Sequence, residues 1–204
     1  MTPIPINLAV EDRLSEVVLR RLLNYVSGRY AIGTVYGKTG NGYLRRTING
    51  WNNAARGTPF AVLTDLDSIV CPKALIDDWL PNQQQSNLLL RVAVREVESW
   101  LLADAENLAK FLHIRKYLIP DNPDTLLNPK ETLVNLARKS KLSEIRKRLV
   151  PEAGSTARQG RDHNGCLSTF IDDSWDIGAA RTHSRSLQRT LAKFESFEPT
   201  WNHV

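Results

Sequence analysis

Cysteine is scarce in this chain: Cys71 and Cys166 stand far apart in 204 residues, with no CxxC and no metal-ligand spacing. A disulfide framework and a zinc knuckle are thereby excluded, and a reducing compartment is the expected setting. Long apolar runs are missing too. Nothing approaches the roughly 18 consecutive apolar residues of a membrane span, so no membrane partner is expected. The opening MTPIPINLAVED has neither a basic n-region nor a long apolar h-region, so export is not expected and the cytoplasm is the expected location. Histidine is sparse as well. His113, His163, His183 and His203 are dispersed and form no H-x-E pair, which leaves them as surface or capping residues.

What is present is enough apolar material for a real core, 42% of the chain. The net charge of +5 is unevenly placed: residues 129–161 carry nine Lys/Arg against three acids, and the rest is roughly neutral. Such a block suits a polyanion, because phosphates attract Lys and Arg and release counterions on binding. A solvated helix face is the competing account of the same charges.

Along the chain, Ile4, Ile6, Leu8 and Val10 alternate as in a strand, and Leu14, Val17, Val18, Leu22 and Val26 recur at helical spacing. A second strand is expected at 30–36, then a glycine-punctuated stretch (Gly37, Gly40, Gly42) and a helix carrying Leu44, Ile48, Trp51 and Ala55. A buried strand at 59–63, a helix at 72–80 and a fourth strand at 88–94 complete the alternation. That order predicts an α/β fold, a mainly parallel sheet flanked by helices. After Arg95 only helical spacing persists, so residues 1–104 are read as the catalytic domain and 105–204 as an α-helical C-terminal extension holding the basic segment. Pro151 through Gly165 reads as a polar connection.

In a parallel sheet the residues that follow the strands line one edge, where ligands of open α/β sheets bind. Carboxylates fall there three times: Glu11 and Asp12, Asp65 and Asp67, Glu96 and Glu98. Crowded carboxylates raise one another's pKa unless a cation neutralises them, and hard oxygen donors in that number suit Mg²⁺ or Mn²⁺. Helix capping is the competing account and serves well for Asp12 and Glu16. It serves poorly for Asp65-Leu66-Asp67 after PFAVLT, where an extended segment would put both aspartates on one side. Glu98, beside Leu101 and Leu102, is the fourth candidate acid; Glu96 is expected to point outward.

Two other patterns carry less. Gly33 to Thr39 resembles a phosphate loop, but the motif needs a glycine at 32, which is Ile32. Its glycines and Lys38 remain candidates for holding a phosphate. Asp65 and Asp67 as nucleophile and acid of a phosphohydrolase would belong on the first strand, which carries glutamate instead. Trp100 and Trp175 are read as core anchors.

Glu11 after the first strand and Asp65-Leu66-Asp67 after the third resemble the Toprim fold of topoisomerases, primases and overcoming-lysogenization-type nucleases. More closely, NLAVEDRLSEVVLRRLL, FAVLTDLDSIVCPKALIDDWL, RVAVREVESWLLAD and WDIGAARTHSRSLQRTLAKF look like a bacterial family of Toprim-like proteins often paired with ATPases in anti-phage defence loci. The resemblance implies that the aspartates hold Mg²⁺ and that the glutamate binds metal or moves a proton. One departure is visible. Toprim nucleases often read E-G-x-T and then an acid, whereas Glu11 to Glu16 is one residue longer, so Glu16 is not counted as a ligand.

The expected activity is that of a Mg²⁺- or Mn²⁺-dependent endonuclease or nickase, an effector in anti-phage defence. Glu11, Asp65, Asp67 and Glu98 would be the catalytic and metal-binding acids. Lys38, Arg45 and Arg46 would steady phosphate charge, and Arg138, Lys139, Lys141, Arg146, Lys147 and Arg148 would track the nucleic-acid backbone. DNA is favoured over RNA, an ATPase is the expected protein partner, and a homo-oligomer is compatible. The alternative is a non-catalytic regulatory or binding subunit of an ATPase-containing complex.

Overall fold

A computed structural model describes residues 2–201. The described chain divides into two compact units, one running to Val94 and resuming at Arg189, the other spanning Arg95–Gln188.

The first unit alternates strand and helix: β1 (Ile4–Val10), α1 (Arg13–Tyr25), β2 (Tyr30–Gly37), α2 (Asn41–Ala54), β3 (Phe60–Asp65), α3 (Pro72–Trp79) and β4 (Leu88–Ala93). The four strands form one sheet in the order β2-β1-β3-β4, and every neighbouring pair is parallel. The expected α/β class is therefore observed. Alternation decides what each strand buries. Ala9, Phe60, Val62, Leu88, Leu90 and Val92 meet Leu44, Ile48 and Trp51 of α2 and Leu75 and Trp79 of α3 in one core. The stripe Leu14, Val18 and Leu22 of α1 is fully buried as well, and α1 packs on β1 and β3. The chain winds from β1 outward to β2, then crosses back to β3 on the other side of β1. The switch point of the sheet thus lies between β1 and β3.

β2 carries a bulge. Ile6 pairs with Ile32 but Leu8 pairs with Val35, so two residues oppose Asn7. The Asn7 Oδ1 accepts from the Thr34 N–H at 2.9 Å, and a Cβ on Gly33 would sit 2.6 Å from that oxygen. The extra residue flips the side-chain parity of β2. Tyr36 accordingly meets Trp51 and Phe60, whereas Tyr30 meets Phe194. Gly33 is spent on this bulge and Gly33–Gly37 is strand, so the stretch is not a phosphate loop.

The second unit is helical: α4 (Val97–Leu102), α5 (Ala105–Leu112), α6 (Pro129–Arg138), α7 (Ser143–Leu149), α8 (His163–Asp173) and α9 (Ile177–His183), with single 3₁₀ turns at Lys116–Leu118 and Pro123–Thr125. The last helix, α10 (Arg185–Ser196), begins in this unit and ends in the first. Asp104 and Asp176 cap α5 and α9 by accepting from backbone N–H groups three residues on. Trp100 and Trp175 are buried as anchors, Trp175 Nε1 donating to the Trp100 carbonyl at 3.3 Å.

The packing division falls at 94/95, and the chain from Arg189 groups with the sheet. The Tyr30 hydroxyl donates to the Phe194 carbonyl at 2.6 Å, and the Asn87 amide clamps Thr200 by two 2.8 Å bonds. The polar connection after Pro151 also ends sooner than expected, because α8 starts at His163. Among the described residues no helix is long and apolar enough to cross a membrane.

Candidate active site

The pairing of Val10 with Leu63 sets Glu11 opposite Thr64 at the carboxyl end of the sheet, at the switch point. The Glu11 side chain leans onto β3. Its Oε1 accepts from the Thr64 hydroxyl and, at 2.8 Å, from the Asp65 backbone N–H. The turn after β2 is stitched to the same place: Lys38 N–H donates to the Val10 carbonyl and Gly40 N–H to the Glu11 carbonyl, both at 2.9 Å. Those N–H groups are consequently not available to cradle a phosphate. Gly37 makes the close approach possible, with φ of 102° and a would-be Cβ 2.1 Å from the Val10 oxygen. Gly37→Ala is expected to cost more than about 1 kcal/mol, through both the left-handed backbone and the clash, and urea denaturation would read it.

Burial pushes the Glu11 carboxyl up. The bonds from Thr64 and Asp65 pull it down, the charges of Asp67 and Asp12 push it up again, and the net shift is upward from 4.5. Such a carboxyl destabilises the fold once ionised, so its contribution worsens as pH rises from 4.5 through the raised value. In metal-free buffer at neutral pH, Glu11→Gln is therefore expected to raise Tm by a few degrees. An unchanged or lowered Tm in calorimetry would contradict the upward shift.

Asp65 closes β3, but the next residues do not stay extended as the D-x-D spacing suggests. Leu66 buries its side chain and donates its N–H to the Ala93 carbonyl at 2.9 Å. Asp67 then turns into the left-handed region, φ 50°, where its exposed carboxylate accepts from Asn41 Nδ2 at 3.0 Å. Asp12 is an N-cap, accepting from the Ser15 N–H at 2.8 Å. Glu16 pairs with Arg20 at 2.9 Å and Lys38 at 2.6 Å. Burial raises its carboxyl, and the Lys38 and Arg20 pairs outweigh that to hold it below the usual range. Lys38 is thus a partner of Glu16, Arg45 is paired with Asp78 at 3.0 Å, and Arg46 is exposed on α2.

Glu98 belongs to the second unit and is completely buried. Its Oε1 faces His163 Nε2 at 3.3 Å and Lys130 Nζ at 3.5 Å. Burial raises this carboxyl, but the imidazole and then the Lys130 charge prevail and lower it. His163 is therefore neither a surface residue nor a cap. His113 does cap, closing α5 in the left-handed region, and His183 is exposed; His203 lies outside the described residues. Glu96 does not simply face outward, since it accepts from the Lys130 N–H at 2.8 Å.

The basic segment splits in function. Arg148 pairs with Asp162 at 2.7 Å, and Arg146 donates to the Ser140 carbonyl. Arg138, Lys139, Lys141 and Lys147 are exposed.

Thr64 and Asn41, which hold Glu11 and Asp67, are absent from the sequence expectations. Thr64 had a legible signal, being the one hydroxyl in the buried run PFAVLT. As donors Glu11, Asp65 and Asp67 fit a hard divalent cation in chemistry, three carboxylates of which Asp67, with the neighbouring Asp12, already disfavours ionisation of Glu11 by its charge. They are not a finished cage: among the described residues no three His, Cys, Asp or Glu side chains stand close enough to hold a metal ion. A cavity of about 950 Å³ lies elsewhere, at the amino end of the sheet beside Ile4, Arg29, Glu198 and Trp201. No protein-family model, curated protein or solved structure matches the chain.

Proposed function

We propose that the chain is a Toprim-like, metal-dependent nuclease whose acids are Glu11, Asp65 and Asp67. The observation that carries this reading is Glu11 itself, pinned across the switch point by Thr64 and the Asp65 N–H, and pushed toward its protonated form by burial and two neighbouring carboxylates. Titratable groups perturbed in this way concentrate at functional sites. Mg²⁺ or Mn²⁺ held by these three acids would supply Lewis-acid polarisation of a phosphodiester and an acidified water. On the protein side, both bonds to Glu11 fall on Oε1, so neither uses Oε2, and a carboxyl with a raised pKa suits the taking and returning of a proton. Asp65 is fixed by the strand and Asp67 by Asn41, so the two aspartates approach the edge on supports of different stiffness.

Glu98 is not carried into this site, because its charge is already met by His163 and Lys130 inside the second unit. The sequence resemblance supports the setting of an anti-phage effector, with nucleic acid as substrate and an ATPase as controlling partner.

The test is incubation of the purified protein with supercoiled plasmid and with RNA, in Mg²⁺, Mn²⁺ or EDTA. Metal-dependent cleavage is expected. Intact substrates together with tight binding of an ATPase would favour the regulatory-subunit alternative. Turnover of a phosphomonoester without salt-sensitive nucleic-acid binding would favour a small-molecule phosphatase.

A further inference from the structure

The second unit carries a groove that the carboxylate site does not use. After α5 the chain reads Leu112-His113-Ile114-Arg115-Lys116-Tyr117-Leu118. His113 turns it in the left-handed region at φ 50°, and the 3₁₀ turn Lys116–Leu118 follows at once. Leu118 is half-buried and Ile119 buried beyond this tight turn, and Tyr117 is left on the surface, 74% exposed. Burial does not account for a large ring in that position. Tyr117 forms one wall of a cavity of about 380 Å³, whose lining also includes His113 and Arg115 and, from the α6–α7 connection, Lys139 and Lys141. Among the described residues no acidic side chain lines it. The Arg115 guanidinium lies 6.0 Å from the centre of the Tyr117 ring. Lys116 points elsewhere, to Glu106 at 3.4 Å, so the pairing nearest the groove removes a cation that does not line it.

We propose that this groove binds single-stranded nucleic acid, one base stacking on Tyr117 while Arg115, Lys139 and Lys141 take the flanking phosphates. An exposed aromatic in a groove lined by three Lys/Arg cations matches a ligand that carries both a π-face and negative charge. A duplex hides its base faces in the stack, so the ring selects an unpaired strand. An acidic peptide would use the cations and leave the ring idle. The proposal rests on the nucleic-acid reading above and narrows its substrate to a single strand, bound by the second unit.

Fluorescence anisotropy in EDTA, with labelled oligo-dT, oligo-rU and a duplex of equal length, tests it without cleavage. The single strands are expected to bind more tightly than the duplex, and the dT and rU arms separate DNA from RNA. Tyr117→Ala should weaken single-strand binding about tenfold or more, and Tyr117→Phe should restore it. Lys139→Gln with Lys141→Gln should flatten the dependence of log K on log salt by about 1.4, at about 0.7 per phosphate. Equal binding by Tyr117→Ala, preference for the duplex, or competition by poly-glutamate as strong as by unlabelled oligonucleotide would each overturn the proposal. Failure of the nuclease reading looks different: no cleavage, with Tyr117-dependent binding intact.

Discussion

Asp65→Ala is expected to remove metal-dependent cleavage while leaving nucleic-acid binding intact or tighter. The reason lies in where Asp65 stands. It is the last residue of a central strand, its backbone N–H is what orients Glu11, and alanine keeps that N–H while deleting the carboxylate. Glu11 should therefore remain in place, so the substitution isolates one acid instead of collapsing the edge. Lewis-acid assistance is worth several kcal/mol, and each 1.4 kcal/mol is tenfold in rate, so a loss of at least about 10²-fold is expected in the plasmid assay. Binding should not fall, because removing a negative charge beside a polyanion cannot weaken the attraction of the basic surface. Thr64→Val is the companion: it deletes the hydroxyl on Glu11 Oε1 at nearly constant volume. Equal loss of binding and cleavage in Asp65→Ala would argue against a catalytic aspartate, since it would mean that the edge had lost its shape.

The sheet was legible because each strand is an apolar run of the right length between turn residues, and each intervening helix repeats its apolar residues at helical spacing. The positions of Glu11 and Asp65 followed from that topology, since a parallel sheet leaves little choice about which edge receives the residues after its strands. The turn at Asp67 was not legible. Asp-Leu-Asp is written alike whether Leu66 continues the alternation or tucks inward, and what decides is a backbone bond from Leu66 to Ala93 on the next strand. The placement of the last segment was hidden for a similar reason. Leu187, Leu191 and Phe194 make an ordinary amphipathic stripe, and only the bonds of Tyr30 and Asn87 to Phe194 and Thr200 say which unit it completes. Asn7, by contrast, was a missed signal: a lone amide in an apolar strand needs a partner, and it found one in the β2 bulge.

His163 shows the limit most plainly, because its meaning depends on a residue 65 positions away, and the largest stability effect in the chain is expected there. Glu98→Ala should destabilise the protein by about 3–5 kcal/mol, the usual cost of deleting one partner of a buried pair. Lys130 would lose the carboxylate and His163 the acceptor that faces its Nε2, in a site where His163 Nδ1 and Glu98 Oε2 already have no hydrogen-bond partner among the described residues. A vacated side-chain volume adds to the loss. The pH dependence fixes the mechanism. A carboxylate held below 4.5 in the folded state contributes stability that is complete above 4.5 and is lost as pH falls through the lowered value. The gap between the parent protein and Glu98→Ala should therefore shrink as pH falls from 4.5 through the lowered folded value. Urea denaturation across that range measures it. Glu98→Met combined with His163→Leu, which replaces charge by apolar volume on both sides, should cost less than either single change, because it leaves fewer buried polar groups without partners. A gap below 1 kcal/mol, or one unchanged down to the lowest pH at which the protein stays folded, would mean that the carboxylate is not held by charge. Its burial would then have to be explained by packing alone.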